Sequence, residues 1–98
     1  MKVIKILRTE HFIGWLESLK DVKARARIDM RLYRIALGNL GDAKSVGGGV
    51  SEFRIDYGPG YRIYFTRRRK EIVVLLAGGD KKSQKNDIKI ALAMAKII

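Results

Sequence analysis

The sequence has no cysteine, a single histidine, a single proline and only 10 acidic residues. Without cysteine there are no disulfides and no thiolate metal sites, and the chemistry suits a reducing compartment. With His11 alone, neither a zinc centre nor a metal or organic cofactor is expected. Ser-His-Asp catalysis would have to use His11, and no nucleophile-elbow motif accompanies it. Long apolar runs are missing too. No stretch approaches the roughly 20 apolar residues that cross a bilayer, and the first eight residues are too interrupted for a signal peptide. A cytoplasmic protein with no membrane partner is expected.

What is abundant is positive charge. Lys and Arg number 21, so the net charge is +11 and the isoelectric point about 10.3. Such a field concentrates polyanions and steers association with them. The length of 98 residues fits one domain, residues 1–98. A domain this small has room for one shallow working face.

Periodicity orders the chain. Lys2 to Arg8 alternates around Val3, Ile4 and Ile6 and predicts a strand. Thr9 can cap a helix carrying Phe12, Trp15, Leu16 and Leu19. Asp21 can cap a longer helix with the apolar stripe Ala24, Ile28, Leu32 and Ile35, stopped by Gly38-Asn39. Glycines then mark a loop with at most one short strand near Lys44-Ser45-Val46. Glu52 to Tyr57 and Tyr61 to Thr66 alternate strictly around the turn Gly58-Pro59-Gly60 and predict a hairpin. After the cationic turn Arg67-Arg68-Arg69-Lys70, Ile72 to Ala77 is apolar on both faces and predicts a central strand ended by Gly78-Gly79. Ser83 can cap a last helix with the stripe Ile88, Ala91, Leu92 and Ala95. The fold class is α+β, with a two-helix hairpin packed on an antiparallel sheet.

Two sets of residues are candidates for function. Lys23, Arg27, Arg31 and Arg34 recur on one face of the second helix, as either a solvated face or an RNA-contact surface. If Phe53, Ile55, Ile63 and Phe65 face the helices, Glu52, Arg54, Asp56, Arg62, Tyr64 and Thr66 face outward. Lys81 and Lys82, just past the central strand, can reach that patch. Arginines fix phosphate oxygens through forked donors, and Tyr64 can stack on a base. An outward Arg62 would tolerate alanine at a cost of about a few tenths of a kcal/mol.

Three segments are recognisable. Gly38-Asn39-Leu40-Gly41-Asp42-Ala43-Lys44, Gly58-Pro59-Gly60-Tyr61-Arg62-Ile63-Tyr64-Phe65 and Leu75-Leu76-Ala77-Gly78-Gly79-Asp80-Lys81-Lys82-Ser83-Gln84 resemble the "addiction module killer" subgroup, HigB-like toxins of the RelE/ParE superfamily. The resemblance covers essentially the whole chain. It implies a toxin neutralised by a cognate antitoxin, a helix-turn-helix protein encoded in an adjacent gene. RelE-like members bind the ribosome and cut messenger RNA; ParE-like members inhibit DNA gyrase. Arg62 matches the strand arginine that contacts the scissile phosphate, Arg54 a basic position on the preceding strand, and Lys81 or Lys82 the cation after the last core strand. Glu52 or Asp56 is the candidate base. The chain departs from the pattern beyond Phe65, where no aromatic residue follows. Relatives carry tyrosine or histidine there, and this chain has Asn86, Asp87 and Ile88.

Overall fold

The strict alternation around the Gly58-Pro59-Gly60 turn becomes the central hairpin of the sheet. In the computed structural model, which describes residues 3–98, β3 (Val50–Ile55) pairs antiparallel with β4 (Tyr61–Arg69), placing Phe53 opposite Ile63 and Arg54 opposite Arg62. Gly58 and Gly60 take positive φ, which the turn between them requires. Around this hairpin stand β1 (Lys5–Arg8), β2 (Ala43–Gly47) and β5 (Ile72–Gly79), in the order β1-β5-β4-β3-β2. The β1–β5 pair is parallel; the others are antiparallel.

One face of the sheet carries α1 (Glu10–Ser18) and α2 (Val22–Ala36). Thr9 Oγ1 accepts from the Phe12 amide at 3.1 Å and lies 2.9 Å from the Leu75 carbonyl, so one hydroxyl caps α1 and ties it to β5. Asp21 caps α2 through the Lys23 and Ala24 amides. The expected stripe of Ala24, Ile28, Leu32 and Ile35 is buried against Phe53, Ile63, Phe65 and Leu75. α2 ends where Gly38 takes φ 99° and the Asn39 amide bonds back to the Arg34 carbonyl.

The other face carries α3 (Gln84–Ile97), which closes a second core over Val50, Tyr64, Val74, Leu76 and Ala77. This two-sided cover explains why β5 is apolar on both faces.

Several boundaries differ from the sequence reading. The first strand spans Lys5–Arg8; Lys2 lies outside the described residues, and Ile4 instead donates its amide to the Ala36 carbonyl. The cationic run continues β4 as far as Arg69, leaving Lys70 and Glu71 to turn. Ser83 stands at the N-cap of α3 but makes no capping bond; its hydroxyl donates to Asp87 instead. Asp80 organises the turn before the helix, accepting from the Lys82 and Ser83 amides at 2.9 and 3.1 Å. β5 runs two residues past Ala77 and ends, as expected, on the glycine pair, with Gly79 its last residue. A Cβ on Gly78 would stand 2.2 Å from the Trp15 ring, and one on Gly79 would stand 1.8 Å from Asp87 Oδ2. The glycines let side chains approach the strand closely from both faces.

Candidate functional site

The strand alternates expected to face solvent are the ones α3 packs over. Glu52, Arg62 and Tyr64 are 3%, 7% and 0% exposed, whereas Arg54 and Asp56 remain open. Polar residues at alternate strand positions read as outward in sequence, but here the covering helix supplies polar partners of its own.

Glu52 is the hub. Its Oε1 accepts from Arg54 Nε at 3.1 Å, and its Oε2 accepts from Gln84 Nε2 at 3.0 Å. Arg62 Nε stands 3.8 Å from Oε2, within ion-pair distance. Burial by itself would raise the Glu52 pKa. The bonds from Gln84 and Arg54, the adjoining Tyr64 hydroxyl and the Arg54 charge outweigh it and hold the carboxyl below its ordinary value. A buried, partnered carboxylate of this kind orients its arginines and is poorly placed to take a proton from a substrate. Of the two candidate bases, Asp56 is the accessible one.

Tyr64 is likewise corrected. It lies entirely beneath α3, so the base stacking expected of it is closed off in this fold. Burial first, then the Glu52 charge, pushes its phenol well above the usual tyrosine range.

Arg62 is the least satisfied group of the site. Its Nε and Nη1 are buried without a hydrogen-bond partner, although nearly every buried polar group in a folded protein has one. The residue lines a depression of about 340 Å³ together with Arg54, Asp56, Gly60, Tyr61 and Lys81. The geometry therefore gathers Arg54, Asp56, Arg62 and Lys81 around one opening. Lys82 is exposed but is not part of that lining.

The basic row on α2 joins this opening from the side. Arg31 lines a groove of about 570 Å³ with Asp42, Lys44, Glu52, Arg54 and Asp56. Its Nη1 donates to the Arg54 carbonyl at 3.4 Å, and its guanidinium lies 5.3 Å from the Phe53 ring centre. Arg27 stacks over Tyr57 at 4.6 Å, and Arg34 borders the same flank. Lys23 is exposed and lines none of these hollows. Helix row and strand patch, separate in the sequence, form one cationic surface.

Sequence reasoning missed Gln84 and the buried Asp87. The signal was present: Gln84, Asp87, Ile88 and Ala91 recur at i, i+3, i+4 and i+7, which puts both polar residues on the sheet-facing side of α3.

Glu52 also gives a pH-dependent expectation. Because its folded pKa is depressed, its stabilisation is fully present above the unfolded value of about 4.3. It is lost as pH falls through the folded value. Wild type should lose melting temperature more steeply than Glu52→Gln between about pH 5 and pH 2. Parallel melting curves for the two proteins across that window would contradict the hub assignment.

An α+β domain with a helical hairpin on one face and a cationic depression beside a buried arginine has the RelE fold. The E. coli toxin RelE, a double arginine-to-alanine mutant in the free state, superposes with a TM-score of 0.68 at 14% identity, covering 89% of this chain and 96% of that one. Residues 14–96 match the family described as "Phage derived protein Gp49-like", and the chain belongs to that family. A Haemophilus influenzae protein described only as uncharacterized is 47% identical over 92 residues, covering 94% of this chain and 93% of its own length.

Proposed function

We propose that the whole chain, residues 1–98, is the toxin of a toxin–antitoxin pair and a metal-independent endoribonuclease that cuts messenger RNA at the ribosome. One observation carries this reading: Arg62, with buried unpartnered donors, lines an opening that Arg54 and Lys81 also line. A phosphodiester oxygen in the opening would supply the missing acceptor once the guanidinium turns out from its buried position, and the arginine fork suits that geometry.

In the in-line reaction, a ribose 2′-oxygen attacks the adjacent phosphorus while Asp56 takes its proton. The bond from phosphorus to the 5′-oxygen breaks, the departing oxygen takes a proton from water while Asp56 gives its own back to solvent, and the products are a 2′,3′-cyclic phosphate and a 5′-hydroxyl. Arg62, Arg54 and Lys81 stabilise the charge that develops on the phosphoryl oxygens. Glu52 holds the two arginines, and Lys82, Lys23, Arg27, Arg31 and Arg34 extend the contact along the RNA backbone. The partner is an antitoxin encoded beside the gene, a helix-turn-helix protein if the HigB-like resemblance extends to it.

A second reading, a toxin that blocks DNA gyrase and cuts nothing, is favoured by one fact. Tyr64 lies under α3 and no aromatic residue follows Phe65, which leaves the largely buried Tyr61 as the aromatic residue lining the opening.

The toxin class is tested by expression. Induction of the chain alone should arrest bacterial growth, and co-expression of the neighbouring gene should restore it. Normal growth with abundant folded protein would contradict the class. Affinity for ribosomes should fall steeply with salt as counterions are released, by about 10³-fold or more between 50 and 200 mM if six or more phosphates are contacted. Salt-independent binding would remove the electrostatic part of the account.

A further inference from the structure

The hollow between α2 and the end of β3 is lined by more than charge. Arg27, Met30, Arg31 and Arg34 recur at i, i+3, i+4 and i+7, which sets them along one side of the helix. Ile55 and Asp56 pass beside them, and the six residues line a space of about 250 Å³. The lining combines three guanidinium groups, a carboxylate and the exposed thioether of Met30. A phosphate would need only the cations. Arg27 is moreover held in place: its guanidinium carbon lies 4.6 Å from the centre of the Tyr57 ring, and Tyr57 itself does not line the hollow. The ring thus backs the guanidinium from the side away from the space. Tyr57 is fixed in turn. Its amide bonds to the Ile55 carbonyl at 2.9 Å, its carbonyl accepts from the Gly60 amide at 3.2 Å, and its side chain packs against the core beneath the helical hairpin.

We infer that this hollow takes a nucleobase of the bound RNA, stacked on the Arg27 guanidinium with Tyr57 behind it. The inference rests on the RNA reading above and gives Arg27 a face as well as a charge. A guanidinium plane stacks on bases much as an aromatic ring does. One already backed by a ring loses little side-chain freedom when the base arrives, so less binding energy is spent on ordering it. Met30 adds an apolar, polarisable contact of the kind that suits a ring edge. Asp56 borders both this hollow and the opening around Arg62, so a base seated here keeps its own sugar-phosphate beside that opening. The Arg27–Tyr57 pair therefore offers the stacking surface that Tyr64, buried under α3, does not, in a chain with no aromatic residue beyond Phe65.

The test reads binding, not cleavage. The probe is a short single-stranded adenine oligoribonucleotide with 2′-methoxy groups, which 2′-attack cannot cut. An abasic sugar-phosphate oligomer of the same length carries the same charge without bases. Each is titrated into the full chain at one salt concentration by calorimetry. The wild type should prefer the adenine strand by about 10-fold, and Arg27→Lys, which keeps the charge and loses the plane, should cut that preference by about 5-fold or more. Arg27 is exposed, so this variant keeps the fold whatever the Tyr57 ring contributes to the core. Tyr57→Leu should lose the preference as well, and Tyr57→Phe, which retains the ring, should recover it. Equal affinity of the wild type for the two strands, no binding of either, or an undiminished preference in Arg27→Lys would overturn the stacking site. Cleavage stands apart from these outcomes. Intact message alongside an Arg27-dependent base preference would remove the nuclease reading alone, and cut message without that preference would remove the stacking site alone.

Discussion

Arg62→Ala is expected to reduce cleavage of ribosome-bound message by about 10²–10³, the usual consequence of removing one preorganised donor from a developing negative charge. In barrier terms that is roughly 3–4 kcal/mol. The variant will not be structurally silent, because Arg62 is 7% exposed and pairs with Glu52. Glu52 keeps its bonds from Arg54 and Gln84, so the stability loss should stay near 1–2 kcal/mol, below that for stranding a buried charge. The two effects separate by size. A domain with about 5 kcal/mol or more of stability remains overwhelmingly folded after losing 2, so unfolding cannot produce a hundredfold fall in rate. Arg62→Lys, which keeps the charge and loses the fork, should fall between wild type and alanine. Single-turnover rates on programmed ribosomes, with melting curves of the same preparations, make the comparison. Cleavage by Arg62→Ala within about threefold of wild type would remove Arg62 from the chemistry.

The second large effect is on the fold. Gly78→Ala places a methyl 2.2 to 2.6 Å from three atoms of the Trp15 ring. Trp15 packs against Phe12, at 5.8 Å, and Tyr61, at 6.2 Å between ring centres, so yielding to the methyl would disturb both contacts. Overpacking of this kind costs about 1–3 kcal/mol. For a domain of this length each kcal/mol lowers the melting temperature by roughly 4–8 °C. A loss of about 10 °C or more is expected for Gly78→Ala, against almost none for Gly14→Ala, where no atom lies within 4 Å of the added methyl. Equal melting temperatures for the two variants would show that the close approach of Trp15 is not required.

Much of this architecture was legible because it depends on local signals. Asp21 and Gly38 bracket α2, and the period-two alternation of Phe53, Ile55, Ile63 and Phe65 sets the hairpin's inner face. What could not be read locally was which second element covers a face. Glu52, Arg62 and Tyr64 look solvent-facing because each is polar, and their burial depends on α3, which begins about 20 residues or more further along the chain. A polar strand face and a polar helix face satisfy each other only once docked. The glycine pair illustrates the same limit. Gly78-Gly79 does end β5, but the close approach that calls for glycine there depends on Trp15 from one side and Asp87 from the other. The candidate cations were found individually; their union into one surface required the contact of Arg31 with the Arg54 carbonyl.

The central claim is that the opening around Arg62 cuts RNA, and primer extension on message from arrested cells tests it most directly. The expected result is discrete breaks within translated regions for the wild type, absent for Arg62→Ala. Growth arrest by the wild type with intact message and inhibited gyrase supercoiling would contradict it.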